Sequence, residues 1–369
     1  MKGERTTAYL RTLIEEKQIP YLDVFVQKEH TALFRRYVSR EGMATGKEKL
    51  FLYSATKPMT VVGALQLVEQ GKLSLDDRVE IYLPAYRDTF LADGTPTKNK
   101  MTVRHLFTMS GGLSYRLPNA AAELLKNSDG KASTVEVVSQ FAKDPLQFEP
   151  GARFEYSFCH DVLAAVVEVV SGKRFAEYMQ EKIFQPLGMT NTGFYTETQA
   201  KVERMYQAAQ SGEIAEIPAK NELILGENYD SGGAGAVATV EDYARFVDAM
   251  ACGGMSANGY RLLKEETVAL LKRETQASLN VNNTFTCVQG SDYGYGLGVR
   301  TRTKAKDWGL PVGEFGWDGA AGTYMMADPV NRISVTIGMH LRGWPNVFKN
   351  EHLKLVQCVY EDLYEEGLL

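Results

Sequence analysis

Apolar positions change their spacing along the chain, and each spacing predicts an element. Tyr9, Leu10, Leu13 and Ile14 recur at helical intervals among charges, so residues 4–17 read as an amphipathic helix. LDVFVQ (22–27) and TALFRRYV (31–38) read as two strands around the polar turn Lys28-Glu29-His30. From about Ser54 to Gln70 the apolar residues cover most sides of a helix. Met59, Val62, Leu65 and Val68 form one stripe, Val61 and Leu67 widen it, and Gly71 ends it. A helix of that kind belongs inside a larger core. Pro58 falls near its first turn, where a missing N–H costs little.

Further along, 74–86 reads as a short capped segment, and 101–113 as a short helix begun by Thr102 and ended by Gly111-Gly112. Residues 160–189 read as helix, break at Gly172, helix, then a Pro-Leu-Gly turn. Residues 198–228 lack periodicity and predict a surface loop region. Helices follow over 239–252, capped by Thr239, and over 263–274. From Tyr293 the pattern becomes alternating, and YGYGLGVRT, EFGWDGAAGTYMMADP and RISVTIGMH predict antiparallel strands. A helix over 350–367 closes the chain. Sheet signals at both ends and helical signals between them predict an α+β fold. An antiparallel sheet flanked by helices (1–95 and 230–369) would carry a mostly helical inserted domain (96–229).

Composition narrows the function. The 369 residues are 44% hydrophobic and 24% charged, enough for a substantial core and unlike a disordered chain. Lys plus Arg number 41 against 46 Asp plus Glu, a formal net charge of −5. No basic face for nucleic acid is visible. No apolar run reaches the length of a membrane span, and no secretory leader is evident, so the expected address is the cytoplasm. Cys159, Cys252, Cys287 and Cys358 lie far apart and read as reduced structural thiols. The five histidines form no HExxH, so neither a metal nor an organic cofactor is expected. No obligate protein partner is evident.

Three local features carry candidate chemistry. In Ser54-Ala55-Thr56-Lys57 the spacing of three puts a hydroxyl and an amine on one helix face. A lysine desolvated there can serve as the base that a serine nucleophile needs. Ser54 as a helix cap with a solvated lysine is the bland alternative. Tyr156, in Tyr156-Ser157-Phe158, could relay a proton if its phenol stood near an amine, or it could simply pack. Trp317-Asp318-Gly319-Ala320 could bring a backbone N–H to a ligand oxygen, or could be a glycine-bearing strand bend. His105 reads as a local cap and His160 as a packed side chain. There is no GxGxxG, no P-loop and no GxSxG elbow.

In order, these features make the chain resemble the serine β-lactamase-like superfamily, closest to its branch of class C β-lactamases, D-alanyl-D-alanine carboxypeptidases and β-lactamase-like carboxylesterases. FLYSATKPMTVVGALQLVEQGKLSLDDRVEIYLP, VRHLFTMSGGL, EYSFCHDVLAAVVEVVSG, SGGAGAVATVEDYARF, YGYGLGV and WDGAAGT carry that resemblance. It implies an active site in the cleft between the two domains. Ser54 would be the acyl-accepting nucleophile, Lys57 its activating partner and Tyr156 a proton relay. The backbone N–H groups of Ser54 and Ala320 would form an oxyanion hole, with no cofactor.

Two positions depart from the pattern. Phe158 stands where the family's tyrosine box has asparagine, and Trp317 where the third box has lysine or histidine. Phenylalanine cannot hydrogen-bond, and the lost cation would have paired with a substrate carboxylate. Phe158, Trp317, Asp318 and Gly319 are therefore the expected substrate contacts, with the two aromatics forming an acyl-binding wall. The expected activity is serine hydrolysis of small carboxylic esters through an acyl-enzyme. A β-lactamase, or a penicillin-binding carboxypeptidase or D-aminopeptidase, is the alternative, and needs a substitute cation such as Arg116, Arg300 or Arg302. A non-catalytic binding protein is the third reading.

Overall fold

A computed structural model describes residues 1–40, 46–194, 202, 204–273, 292–344 and 347–369. The helices are α1 (Glu4–Glu15), α2 (Lys57–Glu69), α3 (Val103–Phe107), α4 (Asn119–Asn127), α5 (Thr134–Phe141), α6 (Cys159–Ser171), α7 (Phe175–Met179), α8 (Val240–Ala251), α9 (Glu265–Leu271) and α10 (His352–Glu365). The strands are β1 (Tyr21–Lys28), β2 (Thr31–Ser39), β3 (Leu50–Phe51), β4 (Met205–Ala208), β5 (Ile214–Ile217) and β6 (Val237–Ala238). They continue with β7 (Tyr293–Tyr295), β8 (Arg300–Arg302), β9 (Phe315–Asp318), β10 (Tyr324–Asp328), β11 (Ile333–Gly338) and β12 (Leu341–Arg342).

Seven strands form one antiparallel sheet in the order β2-β1-β11-β10-β9-β8-β7, so both ends of the chain build it. The fold is α+β, as the pattern predicts. One sheet face packs with α1 and α10 around Leu10, Leu22, Val24, Met326, Val335 and Val359. The other face shares a continuous apolar cluster with α2, α6 and α8 through Met325, Trp317, Val62, Leu163 and Val247. Every residue of α2 from Lys57 to Leu67 is buried, which accounts for its nearly all-round apolar sequence. No helix among the described residues is long and apolar enough to cross a membrane.

Two expectations need correction. Residues 198–228 are not simply loop, because β4 and β5 pair antiparallel and β4 also pairs in parallel with β12. That pairing joins positions far apart in sequence, so local periodicity could not reveal it. The helix after Thr102 ends at Phe107, before the glycines. Met109 takes a left-handed backbone (φ 54°) and turns the chain.

Candidate active site

Strand β3 delivers the chain to a single 3-10 turn, Tyr53–Thr56, which runs directly into α2. Tyr53 sits at φ 47°, a strained conformation for a bulky residue. Its packing holds it there: the ring lies edge-on to Phe51, and the hydroxyl donates to the Lys220 carbonyl at 3.1 Å. The result is a partly exposed Ser54 above a fully buried Lys57 at the head of α2.

Lys57 Nζ has three oxygen partners: Ser54 Oγ at 3.2 Å, Tyr115 Oη at 2.9 Å and the Gly233 carbonyl at 2.7 Å. The set has a chemical property of its own. The carbonyl only accepts, whereas both hydroxyls can accept or donate. An ammonium can satisfy all three, and a neutral amine can keep two N–H bonds and take the Ser54 proton on its lone pair. The amine can therefore change protonation state without orphaning a partner. Enclosure of the Tyr115 hydroxyl end pushes its pKa well above the usual tyrosine value, so Tyr115 stays a neutral phenol.

The Tyr156 ring lies 4.6 Å from Lys57 Nζ, and its hydroxyl accepts from Trp317 Nε1–H at 3.0 Å. The loop carrying Tyr156 is clamped to the turn after α3, where Glu155 N donates to the Met109 carbonyl and Gly151 N to that of Ser110. Trp317 thus places an uncharged donor beside the Tyr156 hydroxyl. Gly319 follows at the end of β9, where an added Cβ would lie 2.3 Å from the Leu52 carbonyl. Only glycine lets this turn approach the Ser54 segment so closely. Ala320, next in the turn, is exposed.

Two expected substrate contacts lie elsewhere. Phe158 is buried, with its ring 4.9 Å from those of both Tyr115 and Phe141, so it packs behind Tyr115 and does not form the expected wall with Trp317. Asp318 is turned to the opposite sheet face from Trp317, where it meets Arg300 Nη1 at 3.3 Å and His352 Nδ1 at 3.2 Å. Successive side chains on a strand point to opposite faces, which explains the split. The candidate substitute cations are also engaged. Arg300 and Arg302 are buried against Glu314, and Arg116 pairs with Asp144 at 2.8 Å.

Three residues of this arrangement escaped the sequence reading. Tyr115 takes up a polar contact with Lys57 where Phe158 can offer none. Gly233 contributes only its carbonyl. Asp161 organises that carbonyl's loop, accepting from Tyr229 Oη at 2.9 Å and Ser231 Oγ at 2.6 Å. Burial pushes the Asp161 pKa up, while the Ser231 bond and the Lys57 charge pull it down. No side chain at 233 would fit, since a Cβ there would lie 2.4 Å from Asp161 Oδ2.

The two histidines behave as structural groups. His105 Nδ1 accepts from Thr102 N in a capping box. His160 is fully buried, and burial, then the Lys57 charge, push its pKa down to about 3. The unfolded chain would bind that proton below about pH 6.5. His160 therefore costs stability as pH falls from there toward the folded value, by up to about 1.4 kcal/mol per pH unit. Unfolding free energies measured on either side of about pH 6 will fall more steeply on acidification in the wild type than in His160→Gln. Equal slopes would refute this assignment. Among the described cysteines, Cys159, Cys252 and Cys358 are free; Cys287 lies outside the described residues.

This arrangement sits in a fold whose affiliation is clear. The chain belongs to the beta-lactamase family, whose model matches residues 7–357. It is similar to esterase EstB of Burkholderia gladioli, 29% identical over 363 residues, covering 90% of this chain and 89% of that protein. Among solved structures it resembles EstCE1, described as a hydrolase with promiscuous acyltransferase activity. That match has a TM-score of 0.78 at 25% identity, over 97% of this chain and 98% of the other. Simvastatin synthase LovD of Aspergillus terreus shares the fold at a TM-score of 0.76 and 22% identity, over 98% and 97% of the two chains.

Proposed function

We infer that the protein is a serine hydrolase acting on carboxylic esters through an acyl-enzyme at Ser54. The observation that carries this is the 3.2 Å contact between Ser54 Oγ and the buried Lys57 amine, beside the rings of Tyr115, Tyr156 and Trp317. The reaction would take place between the sheet-bearing unit (1–95 and 230–369) and the helical unit (96–229). Neutral Lys57 takes the Ser54 proton as Oγ bonds to the ester carbonyl carbon. Backbone N–H groups of Ser54 and Ala320 stabilise the oxyanion. Lys57, with Tyr156 as relay, returns the proton to the departing alkoxide, leaving an acyl-serine. Water then gives its proton to the same pair and attacks the acyl carbon; the bond to Ser54 Oγ breaks, the pair returns that proton to Oγ, and the carboxylic acid leaves.

Esters fit better than penicillins or D-alanyl peptides because those ligands carry a carboxylate. Trp317 offers such a group no charge, and Arg116, Arg300 and Arg302 already have partners. The description of EstB as an esterase supports the same choice. Labelling with a fluorophosphonate and with a fluorescent penicillin, each followed by mapping of the modified residue, tests it. Fluorophosphonate on Ser54 without penicillin labelling is the expected result. Penicillin acylation and turnover at Ser54 would favour the β-lactam reading, and no label from either probe would refute catalysis at this serine.

A further inference from the structure

Away from this cleft, three side chains of metal-binding type converge at the end of α8. Asp248 and Cys252 are four positions apart, so they share one face of the last helical turn. His30 reaches them from the β1–β2 hairpin, 218 positions from Asp248 in sequence. His30 Nδ1 lies 2.7 Å from Asp248 Oδ2, and Cys252 Sγ 3.9 Å from Asp248 Oδ1. One ligand atom from each of the three falls within 4.8 Å of the others. A search for local metal spacings such as HExxH does not disclose a set split this way.

We propose that His30, Asp248 and Cys252 form a binding site for a divalent, borderline-soft metal ion, with zinc the best match. Imidazole, carboxylate and thiolate are all zinc ligands, at about 2.0–2.3 Å from the ion, and a modest side-chain rotation closes the set onto one centre. The position of His30 is fixed in advance. Glu29 and His30 both have left-handed backbones (φ 48° and 68°), a tight hairpin turn, and His30 N donates to Asp248 Oδ1 at 3.3 Å. Asp248 is buried, and its recorded side-chain partners are His30 and Cys252, with no lysine or arginine among them.

A cavity of about 380 Å³, lined by His30 and Cys252, gives an ion access and leaves room for a water as fourth ligand. Arg261, Lys272 and Arg332 line the same cavity, against one carboxylate, Glu265. One carboxylate beside an imidazole and a thiol is a poor donor set for calcium or magnesium, which are held by carboxylate and carbonyl oxygens, and suits a softer ion. Binding balances simply: the thiol releases its proton to solvent, and thiolate plus carboxylate neutralise the dication. The ion would pin the hairpin to α8. None of Ser54, Lys57, Tyr115, Tyr156 or Trp317 lines this cavity.

Chelator-treated full-length protein, titrated with zinc chloride, will bind one ion per chain. Cobalt(II) in its place will give the thiolate-to-metal absorption band of a cysteine ligand. At about 100 times Kd, zinc will raise the thermal midpoint by about 3 °C. Cys252→Ser will abolish the cobalt thiolate band, and His30→Ala will weaken zinc binding by about 100-fold or more. Near-UV circular dichroism of each variant separates loss of the site from loss of the fold. Two results overturn the proposal: wild type without saturable zinc binding, or folded variants that bind zinc as tightly as wild type.

Discussion

Lys57→Met will lower kcat for a short-chain ester by about 10³-fold or more, with the protein still folded. Methionine keeps most of the apolar stem inside α2 but removes the amine that contacts Ser54, Tyr115 and Gly233 together. Serine then loses its amine base; neither histidine replaces it, since His160 is fully buried against the Phe107 carbonyl and His105 is committed to its capping box. Stability should change much less than activity, because an amine fully removed from water is no net asset to the fold. Steady-state kinetics beside a thermal melt make the comparison. A kcat within tenfold of wild type would end the proposed mechanism, whatever the melt shows. Tyr115→Phe gives the graded control, removing one hydroxyl contact and leaving the amine.

Glu314→Ala will produce the largest loss of stability. Its carboxylate is fully buried, 3.4 Å from Arg300 Nη2 and 3.2 Å from Arg302 Nε. Removing it leaves two enclosed guanidinium groups short of counter-charge. Arg300 keeps Asp318 and the Met325 carbonyl, and Arg302 keeps the Tyr293 hydroxyl. Breaking a buried ion pair from one side costs about 3–5 kcal/mol. The thermal midpoint and the yield of folded protein should both drop. Substitution of Glu314 by glutamine should be milder, since an amide oxygen can still accept one bond. A midpoint within about 2 °C of wild type for Glu314→Ala would show that the arginines find other partners.

Much of the fold was legible because the deciding signals are local. The all-round apolar run after Ser54 predicts a buried helix, and α2 is one. The alternating segments after Tyr293 predict antiparallel strands, and they supply most of the large sheet. The serine–lysine pair shares a face by its spacing of three, and the 3-10 turn running into α2 keeps that spacing. What stayed hidden depends on residues meeting across long stretches of chain. Nothing about Tyr115, Asp161 or Gly233 in sequence marks them as neighbours of Lys57. Asp318 is a different case, because strand alternation already implies that it cannot share a face with Trp317. The three arginines were open candidates only because Glu314 and Asp144 carry no mark in sequence of the partners they would take.

The indole N–H of Trp317 has one more implication. A lysine at that place would extend an attractive field into the solvent, drawing anions from several ångströms away and fading as salt rises. An indole dipole acts only on contact. On the proposed reading, molecules reaching this part of the site would come by unguided diffusion and be sorted by shape and greasiness once inside. A catalyst so built would forgo speed of capture for indifference to the ionic surroundings in which its substrate is found.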